Sequence, residues 1–196
     1  MAVQGACGHR HAQCPETGCV RCAGSIEIPD SVKTICKGAF AHASHLTNVQ
    51  LPNNLKFIDD QAFYHCKSLK SITIPNGVKT IGEYAFGECA NLEKVTFGDN
   101  SMIANLKNST FENCKKLKNV TFGKNSSLES INENLFSDCP NLESIVFGDN
   151  AKLGKIEENA FKDHTKLSKV AFGKNSVLHT IYDYSFKGCT SLTSIE

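Results

Sequence analysis

The side chains with the most chemistry to offer are cysteines, and spacing sorts them into two groups. Cys7, Cys14, Cys19 and Cys22 crowd the start of the 196-residue chain, with His9 and His11 among them. Cys19 and Cys22 have the two-residue gap of a metal knuckle, and Cys7 or His9 with Cys14 would complete a tetrahedral zinc site. The same thiols can instead close two disulfides into a cap, as an oxidising compartment favours. In a third reading the segment is a tail without structure. Cys66, Cys89, Cys114, Cys139 and Cys189 behave differently, returning at one fixed place in a repeating pattern, while Cys36 stands apart. Each of the five lies close to inward-pointing Phe and Leu positions, where a free thiol packs as a small hydrophobe. They are expected to be buried and reduced. Ala43 and His164 fill the same column in the first and sixth repeats, and the imidazole must find a hydrogen-bond partner or reach solvent.

Catalysis finds little footing. The chain has no Gly-rich phosphate loop, no paired Cys and His at a plausible strand end, and no repeated Asp cluster for calcium. It is read as non-enzymatic and without a cofactor. Lys and Arg number 21 against 20 Asp and Glu, so no excess charge draws the chain to nucleic acid or anionic membrane. No apolar run approaches the roughly 18 residues of a spanning helix, and Met1 to Arg10 lacks the apolar core of a secretory signal.

What positions these residues is a repeat. Segments opening at Ile28-Pro29, Leu51-Pro52 and Ile74-Pro75 are 23 residues long; those opening at Phe97, Phe122, Phe147 and Phe172 are 25 and begin Phe-Gly-(Asp/Lys)-Asn. Phe40, Phe63, Phe86, Phe111, Phe136, Phe161 and Phe186 form one unbroken column, and Leu46, Leu69, Leu92, Leu117, Leu142, Leu167 and Leu192 another. Stretches such as Leu69-x-x-Ile72-x-Ile74 alternate like a strand with one buried face, and Ser25-Ile26-Glu27-Ile28 matches them as an extra N-terminal strand. Asn54, Asn100, Asn125, Asn150 and Asn175 follow the strands, weakly begun by Ser31 and broken by Gly77. This completes the L-x-x-L-x-L-x-x-N core of a leucine-rich repeat, and the expected fold is an α/β-type horseshoe with a parallel sheet on its concave face and little regular helix. Residues 1–24 form a Cys-rich segment and 25–196 a solenoid of seven repeats. The Asn amides are expected to be buried, satisfying backbone groups where the chain leaves the sheet.

The string Ile74-Pro75-Asn76-Gly77-Val78-Lys79-Thr80-Ile81, continued by Ala85-Phe86 and Leu92, resembles the repeat of BspA-type leucine-rich proteins, and the resemblance runs over residues 26 to 196. It implies a surface or secreted adhesin whose partner is a host matrix or cell-surface protein; the alternative is an intracellular scaffold recruiting a protein partner through the same solenoid. A protein partner, no nucleic acid and no membrane insertion are therefore expected.

Strand residues pointing away from the core would form the concave binding face: Asn48 and Gln50, then Ser71, Thr73, Lys94, Thr96, Asn119, Thr121, Ser144, Val146, Lys169 and Ala171. No large aromatic stands on it. Two columns alternate in charge along the stack, Lys70, Glu93, Lys118, Glu143 and Asp99, Lys124, Asp149, Lys174, and are expected to support the register as ion pairs. Lys33, Lys56 and Lys79 make a small basic stripe on the short repeats. Asn108, Asn119 and Asn125 fit the glycosylation pattern, Asn125 being expected to be too buried to carry a glycan. Phe186, Leu192 and Ile195 have no polar cap after them, from which a fragment of a longer chain, or end-to-end self-association, is expected.

Overall fold

The computed structural model describes residues 24–195, which wind into stacked turns, one per repeat. The strands are β1 (Gly24–Glu27), β2 (Thr34–Ile35), β3 (Leu46–Gln50), β4 (Phe57–Ile58), β5 (Ser71–Ile74), β6 (Thr80–Ile81) and β7 (Lys94–Phe97). They continue as β8 (Asn119–Phe122), β9 (Ser130–Ile131), β10 (Ser144–Phe147), β11 (Lys155–Ile156), β12 (Lys169–Phe172) and β13 (Thr180–Ile181). The extra N-terminal strand is present, since β1 pairs in parallel with β3. Longer strands make one side of the coil, a pair β1-β3 and a five-stranded parallel sheet ordered β12-β10-β8-β7-β5. Two-residue strands make a second side, in parallel sheets β2-β4-β6 and β13-β11-β9.

No helix occurs among the described residues, so the α/β expectation is corrected to a coil of strands and turns. The reason is local. His42, His65, Glu88, Asn113, Asp138, Asp163 and Gly188 hold one place, two residues past the conserved Phe, and all have φ between 56° and 78°. A left-handed residue once per turn is incompatible with a right-handed helix. The backbone there bonds across turns instead: His42 N–H to Tyr64 O, His65 N–H to Gly87 O and Glu88 N–H to Glu112 O, each at 2.8 Å.

The core lies between the two sides and is built of columns. Phe40, Phe63, Phe86, Phe111, Phe136, Phe161 and Phe186 stack nearly parallel, with centroids 5.1–6.1 Å apart. The long repeats add a second stack, Phe97, Phe122, Phe147 and Phe172, at 4.6–5.3 Å. Stacked rings contribute about 0.5–1.5 kcal/mol per pair beyond their buried area.

The Asn column is not buried. Asn54, Asn100, Asn125, Asn150 and Asn175 are all exposed. Four of them, Asn100, Asn125, Asn150 and Asn175, have φ of 55–61°, a conformation that Asn tolerates better than most residues. Their amides form a surface ladder, Asn125 Nδ2–H to Asn100 Oδ1 at 2.9 Å and Asn175 Nδ2–H to Asn150 Oδ1 at 2.8 Å. Backbone conformation, and no buried polar demand, selects Asn here. Burial therefore does not bar a glycan from Asn125.

Candidate binding surface

In the five-stranded sheet the outward side chains fall into two straight rows. Ser71, Lys94, Asn119, Ser144 and Lys169 are register partners in one; Thr73, Thr96, Thr121, Val146 and Ala171 are partners in the other. All ten are exposed or half-buried, while their neighbours Ile72, Val95, Val120, Ile145 and Val170 are buried. The period-two pattern thus places every predicted surface residue on one face. Ser144 Oγ–H donates to Asn119 Oδ1 at 2.8 Å, and Asn48 Nδ2–H to Ser25 Oγ at 3.0 Å.

Asn48 and Gln50 belong to the same face on β3, but the sheet is interrupted between β3 and β5. A cleft of about 650 Å³ opens at the interruption. Strand alternation gives no hint of it. The available signal was the change from Phe-Gly to Ile-Pro at the strand ends.

A second feature lies on the turn side of the short repeats. His42, Tyr64, His65 and Tyr84 form one aromatic cluster, with His42 and His65 centroids 5.0 Å apart and Tyr64 and Tyr84 at 6.4 Å. Partial burial, with Glu88 and Glu112 nearby, raises the Tyr64 phenol above its usual range. Burial, then the Lys67 and His42 charges, lowers the His65 imidazole. Aromatic residues, absent from the strand face, are thus grouped off it.

The thiol column is not a redox ladder. Cys66, Cys89, Cys114 and Cys139 are free and buried, and Cys189 is free and half-buried. Each S–H donates to the Phe carbonyl of the preceding turn, from Cys66 to Phe40 O at 3.1 Å through Cys189 to Phe161 O at 3.0 Å. His164 takes the missing place, with Nε2 3.1 Å from Phe136 O and Nδ1 3.1 Å from Lys162 O. The column is a set of inter-turn donors, and the buried imidazole fills a thiol's place, with Nε2 opposite the equivalent carbonyl of the preceding turn. Burial pushes the Cys89 and Cys114 thiols well above their ordinary range.

The charge columns do less than expected. Among the described residues one ion pair forms, Lys124 Nζ to Asp149 Oδ2 at 3.9 Å. Asp99 and Asp149 instead accept the backbone N–H groups of Lys124 and Lys174, at 2.8 and 2.9 Å. Lys33, Lys56 and Lys79 do stack on successive turns, linked by Lys56 N–H to Lys33 O and Lys79 N–H to Lys56 O at 2.8 Å. Cys7, His9, Cys14, Cys19 and Cys22 lie outside the described residues, within which no group of three or more His, Cys, Asp or Glu could hold a metal. Among the same residues no helix is long and apolar enough to cross a membrane.

A family model described as the BspA type leucine rich repeat region matches residues 18–126 and 100–196, in six copies. No curated protein matches the chain. Among solved structures, a leucine-rich repeat protein from Eubacterium ventriosum is similar at 26% identity and TM-score 0.73, over 89% of this chain and 44% of its own. The leucine rich repeat protein of T. pallidum is similar at 25% identity and TM-score 0.60, over 86% of this chain and 64% of its own. A leucine rich cell surface protein from Faecalibacterium prausnitzii shares the fold at 22% identity and TM-score 0.55, over 89% and 59%. The chain therefore spans less than two thirds of the length of each.

Proposed function

The chain belongs to the family of BspA-type leucine-rich-repeat proteins, and from that premise we propose a non-catalytic adhesin or ligand-binding module working at the cell surface or in secreted form. The observation that carries this reading is the outward strand face. Its ten side chains, Ser71, Thr73, Lys94, Thr96, Asn119, Thr121, Ser144, Val146, Lys169 and Ala171, stand in register without taking part in the core. A continuous sheet holds them rigidly, so little entropy is lost when a partner docks. The partner is a host matrix or cell-surface protein, in keeping with the family resemblance.

The test is solid-phase binding of the chain to a panel of purified extracellular-matrix proteins, alongside antibody labelling of intact source cells. Saturable binding should weaken at least about tenfold in a Thr121→Lys/Val146→Lys variant, since a charge at the centre of a desolvated patch is unfavourable. Antibody should label the intact cells. A variant that binds like the parent, or labelling only after permeabilisation, would overturn the reading.

A further inference from the structure

The cleft between β3 and β5 arises from a missing backbone donor. In the long repeats Gly123, Gly148 and Gly173 donate their N–H to the last strand residue of the preceding turn, Phe97, Phe122 and Phe147, at 2.8–2.9 Å. Pro75 occupies that position for β5 and has no N–H to give. Pro52 holds the same place one turn earlier, but there Ile28 N–H to Gln50 O at 3.0 Å keeps β1 and β3 paired. Between β3 and β5 no such bond replaces it, and the opening rung, Lys70 N–H to Thr47 O, is stretched to 3.5 Å. Behind the gap the core is intact, with Phe40 and Phe63 stacked at 5.1 Å. The turns remain neighbours while their outward edges part.

The walls are distinctive. Asn48, Gln50, Asn53, Ser71, Thr73 and Asn76 supply the polar groups, and no charged side chain lines the cleft. Gln50, Asn53, Ser71 and Thr73 are exposed and make no side-chain hydrogen bond within the protein, so their donors and acceptors face the cleft or solvent unspent. Between these groups the ring of half-buried Pro75 presents apolar surface, while Val49 and Ile74 beneath it belong to the core. A smaller cleft of about 380 Å³ continues from it across the preceding turn, sharing Gln50, Leu51 and Asn53 as a common wall.

Amides and hydroxyls each offer a donor beside an acceptor. The ligand that matches a row of them carries the same paired capacity, no net charge, and C–H groups to lie against Pro75. An anion would find no cation among the lining side chains, the ammonium of Lys56 lying beside Gly77 outside them. An added peptide strand would need β3 and β5 to stand two strand spacings apart, about 9.6 Å. Lys70 N–H still reaches Thr47 O at 3.5 Å, so the strands remain neighbours and a ligand lies on their outward edges. At about 650 Å³ the volume is in the range of small-molecule sites.

We propose that the cleft between β3 and β5 binds a neutral saccharide of one or two rings, held by Asn48, Gln50, Asn53, Ser71 and Thr73 and seated against Pro75. The inference rests on reading the outward face as the binding surface, and it gives one end of that face a separate ligand. Specificity comes from the short-repeat edge alone, because the long repeats keep their ladder closed.

The experiment is saturation-transfer NMR on the full chain with glucose, galactose, mannose, N-acetylglucosamine, lactose, maltose and cellobiose, and with glucuronic acid and sialyllactose as charged counterparts. At least one neutral sugar should receive saturation with millimolar affinity. Gln50→Ala/Ser71→Ala should weaken it at least about tenfold with an unchanged melting curve, both side chains being exposed and free of internal bonds. Thr121→Lys/Val146→Lys should leave it unaltered. The proposal is overturned if no neutral sugar is bound, if only the acidic sugars are, or if binding survives Gln50→Ala/Ser71→Ala. Loss through the Thr121 and Val146 variant would also overturn the cleft assignment while leaving the protein-binding reading standing.

Discussion

The 23-residue and 25-residue repeats are built on one core and differ at the end of the strand. Both keep the Phe stack and the thiol donors behind it, running unbroken from Phe40 to Phe186 and from Cys66 to Cys189 with His164 included. In the long repeats the strand closes with Phe-Gly-x-Asn, which adds a second ring stack, an N–H rung and an Asn ladder. In the short repeats it closes with an aliphatic residue and proline, and the sheet is interrupted there. The solenoid is therefore continuous in its core and discontinuous on its face. Core columns carry stability through nearest-neighbour packing, while the strand ends decide where the surface is closed and where it is open.

The comparison breaks most visibly at the rings. Phe111 is fully buried, stacks on Phe86 and Phe136, and meets Phe97 of the second stack edge-on at 6.4 Å. Phe111→Ala should cost about 3–5 kcal/mol in urea unfolding as a cavity in packed surroundings. Thr121→Ala, outward on β8, should stay within about 0.5 kcal/mol. Equal midpoints would mean that the two faces of the strand have been exchanged.

Next comes the strand end itself. Gly148→Pro imposes the short-repeat residue on a long turn. It deletes the N–H that reaches Phe122 O at 2.8 Å, and even a Cβ at Gly148 would lie 2.6 Å from Lys124 N. The cost should be about 1–3 kcal/mol for overpacking alone. Amide exchange should quicken at the β8–β10 junction and remain slow in β3. Uniform loosening of the whole chain would show that the face and the core are not separable.

Much of this was legible because it is periodic. The Phe and Leu columns and the alternating strand residues gave the inward set, and each of Ile72, Val95, Val120, Ile145 and Val170 is buried as the period requires. The return leg was misjudged, since its left-handed residues include His42, His65 and Glu88, types that carry no conformational label in sequence. The Asn column was recognised as a position and misread as a cause. Ion pairing along the charge columns was overestimated because Asp99 and Asp149 have nearer backbone donors. The cleft could not be foreseen from either repeat class alone, because it depends on Pro75 meeting a turn that offers no compensating bond.

The thiols test what the two halves share. Cys89 lies in a short repeat and Cys114 in a long one, and burial pushes both well above the ordinary thiol range. In the unfolded chain they ionise from about pH 8.5 upward, while in the fold they stay protonated. The unfolded state then holds fewer protons, so stability is fully present below that pH and is lost as pH rises. The slope approaches about 1.4 kcal/mol per pH unit for each thiol. Urea midpoints should fall on the alkaline side, and Cys89→Ala and Cys114→Ala should flatten the fall by similar amounts. A fall that neither variant changes would mean that other groups cause it, while a large difference between them would place a boundary inside the core.

The smallest effect separates the halves by backbone conformation. Asn125 has φ of 55° and gives its amide to Asn100 Oδ1, whereas Asn54, its short-repeat equivalent, lacks a positive φ and donates to Asp30 O at 3.3 Å. A left-handed L-residue other than Asn or Gly costs roughly 1–2 kcal/mol. Asn125→Ala should therefore destabilise by about 1 kcal/mol, and Asn125→Gly by less than Asn125→Ala because glycine accepts that φ freely. Asn54→Ala should cost no more than an exposed hydrogen bond, about 0.5 kcal/mol. If alanine and glycine at Asn125 are equally harmful, the side-chain ladder outweighs the backbone there. If Asn54→Ala is as harmful as Asn125→Ala, the turn that follows the strand does not distinguish the two kinds of repeat.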